Sequence, residues 1–278
     1  MPELPEVETI RADLQGQITG RVITGGQFLW ERTAGRPAGD PESLVRGVTG
    51  RRIEVVERRA KFLVLRLSGR AALVVHLRMT GRLRFREAGA LPEKALRASF
   101  ALDDGSELHF EDQRKFGRLY FTDGAAALDE VLARLGPEPL EEAFTSGALR
   151  DLLGTRRAQL KPLLLNQSFV AGLGNIYVDE ALFRARLHPL RRSDTLTQEE
   201  IDRLHQGIVA ALRQGIVNRG TTLADYRDAW GSAGKNKERL LVFKREGRPC
   251  TACGERITKI RVAQRGTHVC PTCQPLPK

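Results

Sequence analysis

Four cysteines and one proline have the types and spacing that could do chemistry. Cys250, Cys253, Cys270 and Cys273 follow a C-x2-C-x16-C-x2-C pattern. A two-residue spacer lets both thiolates of a pair face one ion, and the long spacer suits a β-hairpin that returns the second pair. Four thiolates close a tetrahedral zinc site with no open position, so the ion would support the fold and stay out of the reaction. Pro2 lies in the opening stretch Met1-Pro2-Glu3-Leu4-Pro5-Glu6. With Met1 removed, its nitrogen is a secondary amine that can attack a sugar C1′ and form an iminium. Free α-amino groups titrate near about 7.7–8.0, so a useful fraction is neutral at cell pH. The carboxylates of Glu3 and Glu6 lie close by in sequence. Taken alone, the stretch reads first as an ordinary helix start, because acidic residues commonly open helices.

Weaker candidates lie in between. Val170-Ala171-Gly172-Leu173-Gly174-Asn175 permits a tight turn with backbone N–H groups exposed at a helix start, a phosphate-binding arrangement or a plain helical corner. It lacks the third glycine and the strand–helix alternation of a dinucleotide site. Arg58-Arg59-Ala60-Lys61 places three cations before a strand, either as a solvated turn or as phosphate contacts. Asp112-Gln113-Arg114-Lys115-Phe116-Gly117 puts a cation and an aromatic ring in one turn, where the ring is either core or a wedge for a base stack. Met79 precedes the Thr80-Gly81 turn and reads first as core filler.

The 278 residues suffice for two or three domains, and 41 % hydrophobic residues can build real cores. No apolar run reaches membrane-spanning length. The acidic start lacks a charged-then-apolar leader, which predicts a cytoplasmic chain with reduced thiols. A net charge of +11 and a pI near 10.0 point to a polyanion, most simply nucleic acid. From Lys235 to Lys278, eleven basic residues face three acidic ones, so this segment carries +8 of the +11.

The elements that must position these groups follow from periodicity. Val7, Ile10, Leu14 and Ile18 form one stripe of a helix over Glu6 to Ile18, with Pro5 in its first turn. Such a helix would hold Pro2 and Glu3 at its mouth. Short β-type runs follow at Arg52–Glu57, Phe62–Leu67, Ala71–Leu77, Leu83–Arg86, Ser99–Leu102, Glu107–Phe110 and Leu119–Thr122, which predicts a sandwich or barrel. Gly35 to Pro41 and Glu87 to Pro92 read as surface loops. Helical spacing resumes with Leu128, Val131, Leu132 and Leu135, ended by Gly136-Pro137, and continues at Gly147–Leu153, Gln159–Asn166 and Asn175–Arg186. A last helix starts at the capping box Thr197-Gln198-Glu199-Glu200 and stops near Gly220. Thr221–Arg239 reads as a mobile loop. The expected fold class is α+β and multidomain: an N-terminal helix on a β-sandwich, a helical domain, then a zinc β-hairpin.

These motifs, in this order, resemble the bacterial formamidopyrimidine-DNA glycosylase family from Pro2 to Cys273. The resemblance rests on Pro2 to Thr9, Arg58 to Lys61, His76 to Gly81, Arg114 to Gly117, Leu135 to Leu140, Gly172 to Tyr177, Gly220 to Leu223, Gln264-Arg265 and the four cysteines. The sister family resembling endonuclease VIII starts Pro-Glu-Gly-Pro-Glu, so Leu4 favours the first family. The resemblance implies a bifunctional repair enzyme. It would remove oxidised purines such as 8-oxoguanine from duplex DNA through a proline Schiff base, then cut the abasic strand by β,δ-elimination. It implies that Pro2 attacks C1′, Glu3 assists as acid and base, and Glu6 supports the nucleophile. Lys61 would contact phosphate and donate the proton of β-elimination, and Arg265 would contact phosphates and donate that of δ-elimination. Met79, Arg114 and Phe116 would fill the gap left by the everted base, with Arg114 pairing to the orphaned cytosine. Asn175 and Arg156 would contact the DNA backbone. The implied domains are a catalytic β-sandwich over 1–125, a helix–two-turn–helix domain over 126–225 and a zinc hairpin over 241–275, with 226–240 covering the lesion. One structural Zn2+, damaged double-stranded DNA as partner, no membrane and a monomeric state complete the set. Ala95 and Arg97 depart from the family pattern, which carries His residues on this loop. Arg97 is then a candidate replacement contact to phosphate, and the Ala95 contact is lost.

Two other function classes compete. A non-catalytic damage-binding module is disfavoured by intact Pro2, Glu3 and Lys61. A metal-dependent nuclease lacks clustered carboxylates with open coordination.

Overall fold

The computed structural model describes residues 1–35 and 39–276, so 36–38 of the expected 35–41 loop lie outside the described residues. The chain divides into two compact units. The first is Met1–Ala133 with Asn218–Lys235, and the second is Arg134–Val217 with Asn236–Lys278.

The first unit opens on α1 (Leu4–Ile18), whose stripe Val7, Ile10, Leu14 and Ile18 is fully buried. Eight strands follow: β1 (Ile23–Phe28), β2 (Ile53–Arg59), β3 (Phe62–Leu67), β4 (Ala71–His76), β5 (Gly81–Arg86), β6 (Leu96–Leu102), β7 (Glu107–Asp112) and β8 (Arg118–Asp123). They form two antiparallel sheets ordered β1-β6-β7-β5 and β2-β3-β4-β8. The alternation of β3 and β4 puts Leu63, Leu65, Leu73 and Val75 into the same core as Phe100, Leu108 and Phe110 from the other sheet. Val64, Ala72 and Val74 point the opposite way and pack on Leu128 of α3 (Ala125–Leu132). This is the expected sandwich.

Two elements go beyond the sequence reading. β1 carries Gly25-Gly26, which interrupts alternation, and a Cβ at Gly26 would meet the Phe100 ring at 2.9 Å. α2 (Pro41–Val48) is a short helix inside a Gly- and Pro-rich stretch, capped by Asp40, whose Oδ1 accepts from Ser43 N–H at 2.7 Å. α3 ends at Leu132, so Leu135 lies beyond it.

The second unit holds α4 (Ser146–Gly154), α5 (Leu160–Leu165), α6 (Asn175–Ala185) and α7 (Gln198–Val217). The expected capping box of α7 is reciprocal: Glu200 N–H donates to Thr197 Oγ1 at 3.3 Å, and Thr197 N–H donates to Glu200 Oε2 at 2.9 Å. α6 and α7 approach closely because a Cβ at Gly207 would lie 2.6 Å from the Ala181 carbonyl oxygen, and one at Gly215 2.5 Å from Tyr177 Oη. β9 (Thr258–Val262) and β10 (Arg265–Val269) form the expected hairpin. No helix among the described residues is long and apolar enough to cross a membrane.

Candidate active site and nucleic-acid interface

In the first unit, Pro2, Glu3 and Glu6 are all buried at the start of α1. Glu3 is the N-cap, and its N–H donates to Glu6 Oε2 at 2.8 Å. The other carboxylate oxygen, Glu6 Oε1, accepts from Thr221 N–H at 2.7 Å. One carboxylate therefore fixes the helix mouth and ties it to the segment after α7. A second tie lies further along α1. Arg219 Nη2 meets both Asp13 oxygens at 2.8 Å and Asp228 Oδ2 at 2.6 Å. Burial pushes the Asp13 carboxyl up, against the pull of Arg219.

Residues 221–239 form little regular structure but are anchored. Tyr226 and Ala229 belong to the main core, and Asp228 Oδ1 accepts from Trp230 N–H at 3.1 Å and Ser232 N–H at 2.8 Å. Arg82 Nε donates to the Asp225 carbonyl at 2.8 Å, and Phe85 meets Trp230 edge to face at 5.8 Å between centroids.

Lys61 occupies the two-residue turn of the β2–β3 hairpin, after Ala60 in the left-handed region at φ 53°. Its side chain is only 5 % exposed, so this is no solvated turn. Arg58 is drawn into structural work: its Nε meets Glu8 Oε2 at 3.0 Å. His76, which sequence reasoning placed in a motif without a role, lies beside this turn. It pairs with Phe62 across the sheet, with ring centroids 4.5 Å apart. Burial, then the charges of Arg78 and Lys61, push the imidazole down to about 3. Its Nδ1 accepts from Arg78 N–H at 3.0 Å, so the neutral ring carries its proton on Nε2. Only the spacing between His76 and Lys61 hinted at this, through strand pairing.

The wedge candidates stand on two turns. Met79 is 41 % and Phe116 47 % exposed, which rules out core filling for both. Arg114 lies over the Phe116 ring at 4.9 Å. Arg97, the candidate phosphate contact, also meets backbone. Its Nε donates to the Asp112 carbonyl at 2.9 Å and its Nη1 to the Leu96 carbonyl at 2.9 Å. Its guanidinium is engaged with backbone at the base of the Arg114 turn.

In the second unit, Asn175 opens α6, following Gly172 at φ 90°. Its Nδ2 donates to the Gly266 carbonyl at 3.1 Å, and its Oδ1 is buried without a partner. Arg156 and Arg265 are exposed. Arg265 follows Ala263 and Gln264, both in the left-handed region at φ 46° and 62°. That two-residue turn wants glycine or asparagine, and its strain holds a basic residue at the hairpin tip.

The hairpin is docked on α6 through buried acids. Asp179 Oδ1 meets Lys161 Nζ at 2.5 Å, and its Oδ2 accepts from His268 N–H at 2.9 Å. Glu180 accepts from the N–H groups of Leu241, Val242 and Phe243 at 2.9–3.0 Å, while burial pushes its carboxyl up. All four cysteines are free, and their Sγ atoms lie within 4.8 Å of one another. Cys250 to Cys273 is 3.9 Å and Cys253 to Cys270 is 3.4 Å, near the ~3.8 Å edge of a tetrahedron with Zn–S bonds of about 2.3 Å. Ala252 N–H and Cys273 N–H donate to the sulfurs of Cys250 and Cys270 at 3.4 Å, which favours thiolates. The donor set fits a structural zinc ion.

Comparison with known proteins agrees with this geometry. Three family models match: the formamidopyrimidine-DNA glycosylase N-terminal domain over residues 1–119, its H2TH domain over 135–226, and the zinc finger found in FPG and IleRS over 247–276. The formamidopyrimidine-DNA glycosylase of Roseiflexus sp. (strain RS-1) is 47 % identical over 277 residues, covering 99 % of this chain and 100 % of that one. That of Heliobacterium modesticaldum is 48 % identical over 278 residues, covering 99 % and 100 %. Among solved structures, a complex of Lactococcus lactis Fpg with abasic-site DNA superposes with a TM-score of 0.91 at 37 % identity, covering 99 % of this chain and 100 % of that one. A complex of a mutant of the same protein with Fapy-dG DNA gives 0.92 at 36 %, with the same coverage. With identity at this level over nearly its full length, the chain belongs to the formamidopyrimidine-DNA glycosylase family.

Proposed function

We propose that the chain is a base-excision-repair glycosylase that removes oxidised purines from duplex DNA and cuts the abasic strand. The observation that supports this most is the buried Pro2–Glu3–Glu6 cluster, pinned through Thr221 N–H, at the head of α1. Once Met1 is removed, the Pro2 amine attacks C1′ of an everted nucleotide. A bond forms from nitrogen to carbon, and the glycosidic bond breaks with its electron pair going to the base. Glu3 is placed to move the protons of that exchange. The C1′–O4′ bond then breaks with its electron pair going to O4′, which takes a proton from Glu3, and the sugar opens to an iminium. The iminium acidifies the adjacent C2′–H, and loss of that proton expels the 3′ phosphate. Lys61 donates to the departing oxygen, and Arg265 assists the second elimination at the 5′ side.

Neutral His76 offers its Nε2–H to a phosphate near the lesion, next to Lys61. Burying a neutral donor there avoids placing a second charge beside the lysine. Met79, Arg114 and Phe116 occupy the gap in the stack, and Arg114 reads the orphaned cytosine. Asn175, through its Nδ2 amide, and the exposed Arg156 serve the DNA backbone as donors to phosphate. The 226–240 segment covers the extruded base from its anchors on β5. Four cysteines hold one Zn2+, which supplies folding free energy to the hairpin. The enzyme acts as a cytoplasmic monomer on damaged double-stranded DNA.

Incubation with duplexes carrying 8-oxoguanine, formamidopyrimidine or an oxidised pyrimidine tests the substrate class. Faster release of the oxidised purines, with strand cleavage, is expected. Binding without base release would reduce the chain to a damage-recognition module, and a preference for the pyrimidine would refute the substrate assignment.

A further inference from the structure

Met79 and Phe116 sit on different turns, after β4 and after β7. Each turn contains a non-glycine residue in the left-handed region, Arg78 at φ 53° and Lys115 at φ 61°. Each is therefore held in a shape its own sequence does not prefer. One buried carboxylate joins the two. Asp112, 1 % exposed, accepts from Thr80 Oγ1–H at 2.5 Å and from Arg114 N–H at 3.1 Å on Oδ1. Its Oδ2 accepts from Gly117 N–H at 2.7 Å. Arg114 N–H is shared with Thr80 Oγ1, also at 3.1 Å. The Thr80 hydroxyl thus donates to the carboxylate and accepts from the neighbouring turn. A Cβ at Gly117 would lie 2.4 Å from the Phe110 ring and 3.2 Å from Asp112 Oδ2, so only glycine brings this backbone onto the carboxylate. Arg97 supports the same residue from behind through the Asp112 carbonyl.

We propose that Thr80 and Asp112 are positioning residues that lock the Met79 turn and the Arg114–Phe116 turn into one rigid wedge, and that base eversion depends on this junction. The proposal rests on the reading that Met79, Arg114 and Phe116 fill the gap in the stack. A buried carboxylate must keep its donors, and bonds to a charged acceptor are among the stronger ones. Neither turn can yield without stripping donors from Asp112. Unstacking a base costs a few kcal/mol, and a wedge that gave way under that load would not hold the base out. Arg97 then acts on the wedge through the Asp112 carbonyl.

The test is single-turnover kinetics on two duplexes, one carrying 8-oxoguanine and one a preformed abasic site with no base to unstack. Thr80→Val removes the hydroxyl with its shape kept, and Thr80→Ser restores it. Thr80→Val is expected to slow excision of 8-oxoguanine about 10-fold, the value of one hydrogen bond to a charged group. Cleavage at the abasic site should be unchanged, and Thr80→Ser should behave as wild type. Asp112→Asn, which turns an amide donor toward Gly117 N–H, should show the same split and serves if Thr80→Val does not fold. Met79→Ala and Phe116→Ala are run alongside. If they slow excision selectively while Thr80→Val does not, the junction is refuted and the wedge stands. If they do not, the wedge reading fails and the proposal with it. Equal loss on both duplexes for Thr80→Val, or no recovery in Thr80→Ser, would also overturn the proposal.

Discussion

Glu6 serves two donors with one carboxylate, Glu3 N–H on one oxygen and Thr221 N–H on the other. A glutamine there would turn an NH2 group toward one of those N–H groups, which is why an acid is required. His76 shows the opposite logic, a group kept neutral by its surroundings. Its ordinary value of 6.5 falls to about 3 in the folded chain. Between those values the unfolded chain binds the proton and the folded chain does not, so stability rises with pH. This contribution is complete above about 6.5 and is lost as pH falls toward about 3. Urea midpoints measured from pH 7 down to about pH 4 should therefore fall, and His76→Gln should flatten that decline. Parallel curves for the two proteins would contradict the buried neutral imidazole. Sequence alone quoted His76 within a motif and gave it no task, because burial beside Lys61 depends on β3–β4 pairing. The backbone contacts of Arg97 were hidden for a related reason: its charge suggested phosphate, and only folding brings the carbonyls of Leu96 and Asp112 within its reach.

α6 is a docking element as much as a helix. Asp179 and Glu180, adjacent on its buried side, hold β10 and the 241–243 backbone. Lys161 and Asp179 have no exposed side-chain surface. Asp179→Asn removes the carboxylate charge that meets the buried Lys161 Nζ and should cost about 3–5 kcal/mol. A thermal melt of the zinc-loaded protein checks this, and an unchanged midpoint would mean that the pair contributes nothing to docking. Elements with a clean period were legible in the sequence: the α1 stripe, the seven strands from β2 to β8, and the Thr197 capping box. β1 and α2 were not. Gly25-Gly26 breaks the alternation of β1, and eight residues give α2 too few turns to show a period. The four cysteines announced their cluster because metal-ligand spacing is written locally. The anchoring of 221–239 could not be read, since Thr221 finds Glu6 only when the chain has folded.

Charge acts on the chain as a whole. A net +11, of which +8 lies from Lys235 onward, makes binding to duplex DNA an exchange of condensed counterions for Lys and Arg. Logarithmic affinity should fall linearly with logarithmic salt, and Arg265→Ala should lower the slope by about 1. A flat dependence would remove the electrostatic basis for DNA binding. The central claim concerns one nitrogen. With Met1 attached the Pro2 nitrogen is an amide and cannot react; with Met1 removed it is a free amine at the head of α1. Borohydride trapping of Met1-free protein on an 8-oxoguanine duplex tests this most directly, with the adduct located by peptide mass mapping. A covalent adduct on Pro2, weakened in Pro2→Gly and absent when Met1 is retained, is the expected result. No adduct with Met1-free protein that still releases the base, or an adduct on a lysine, would contradict it.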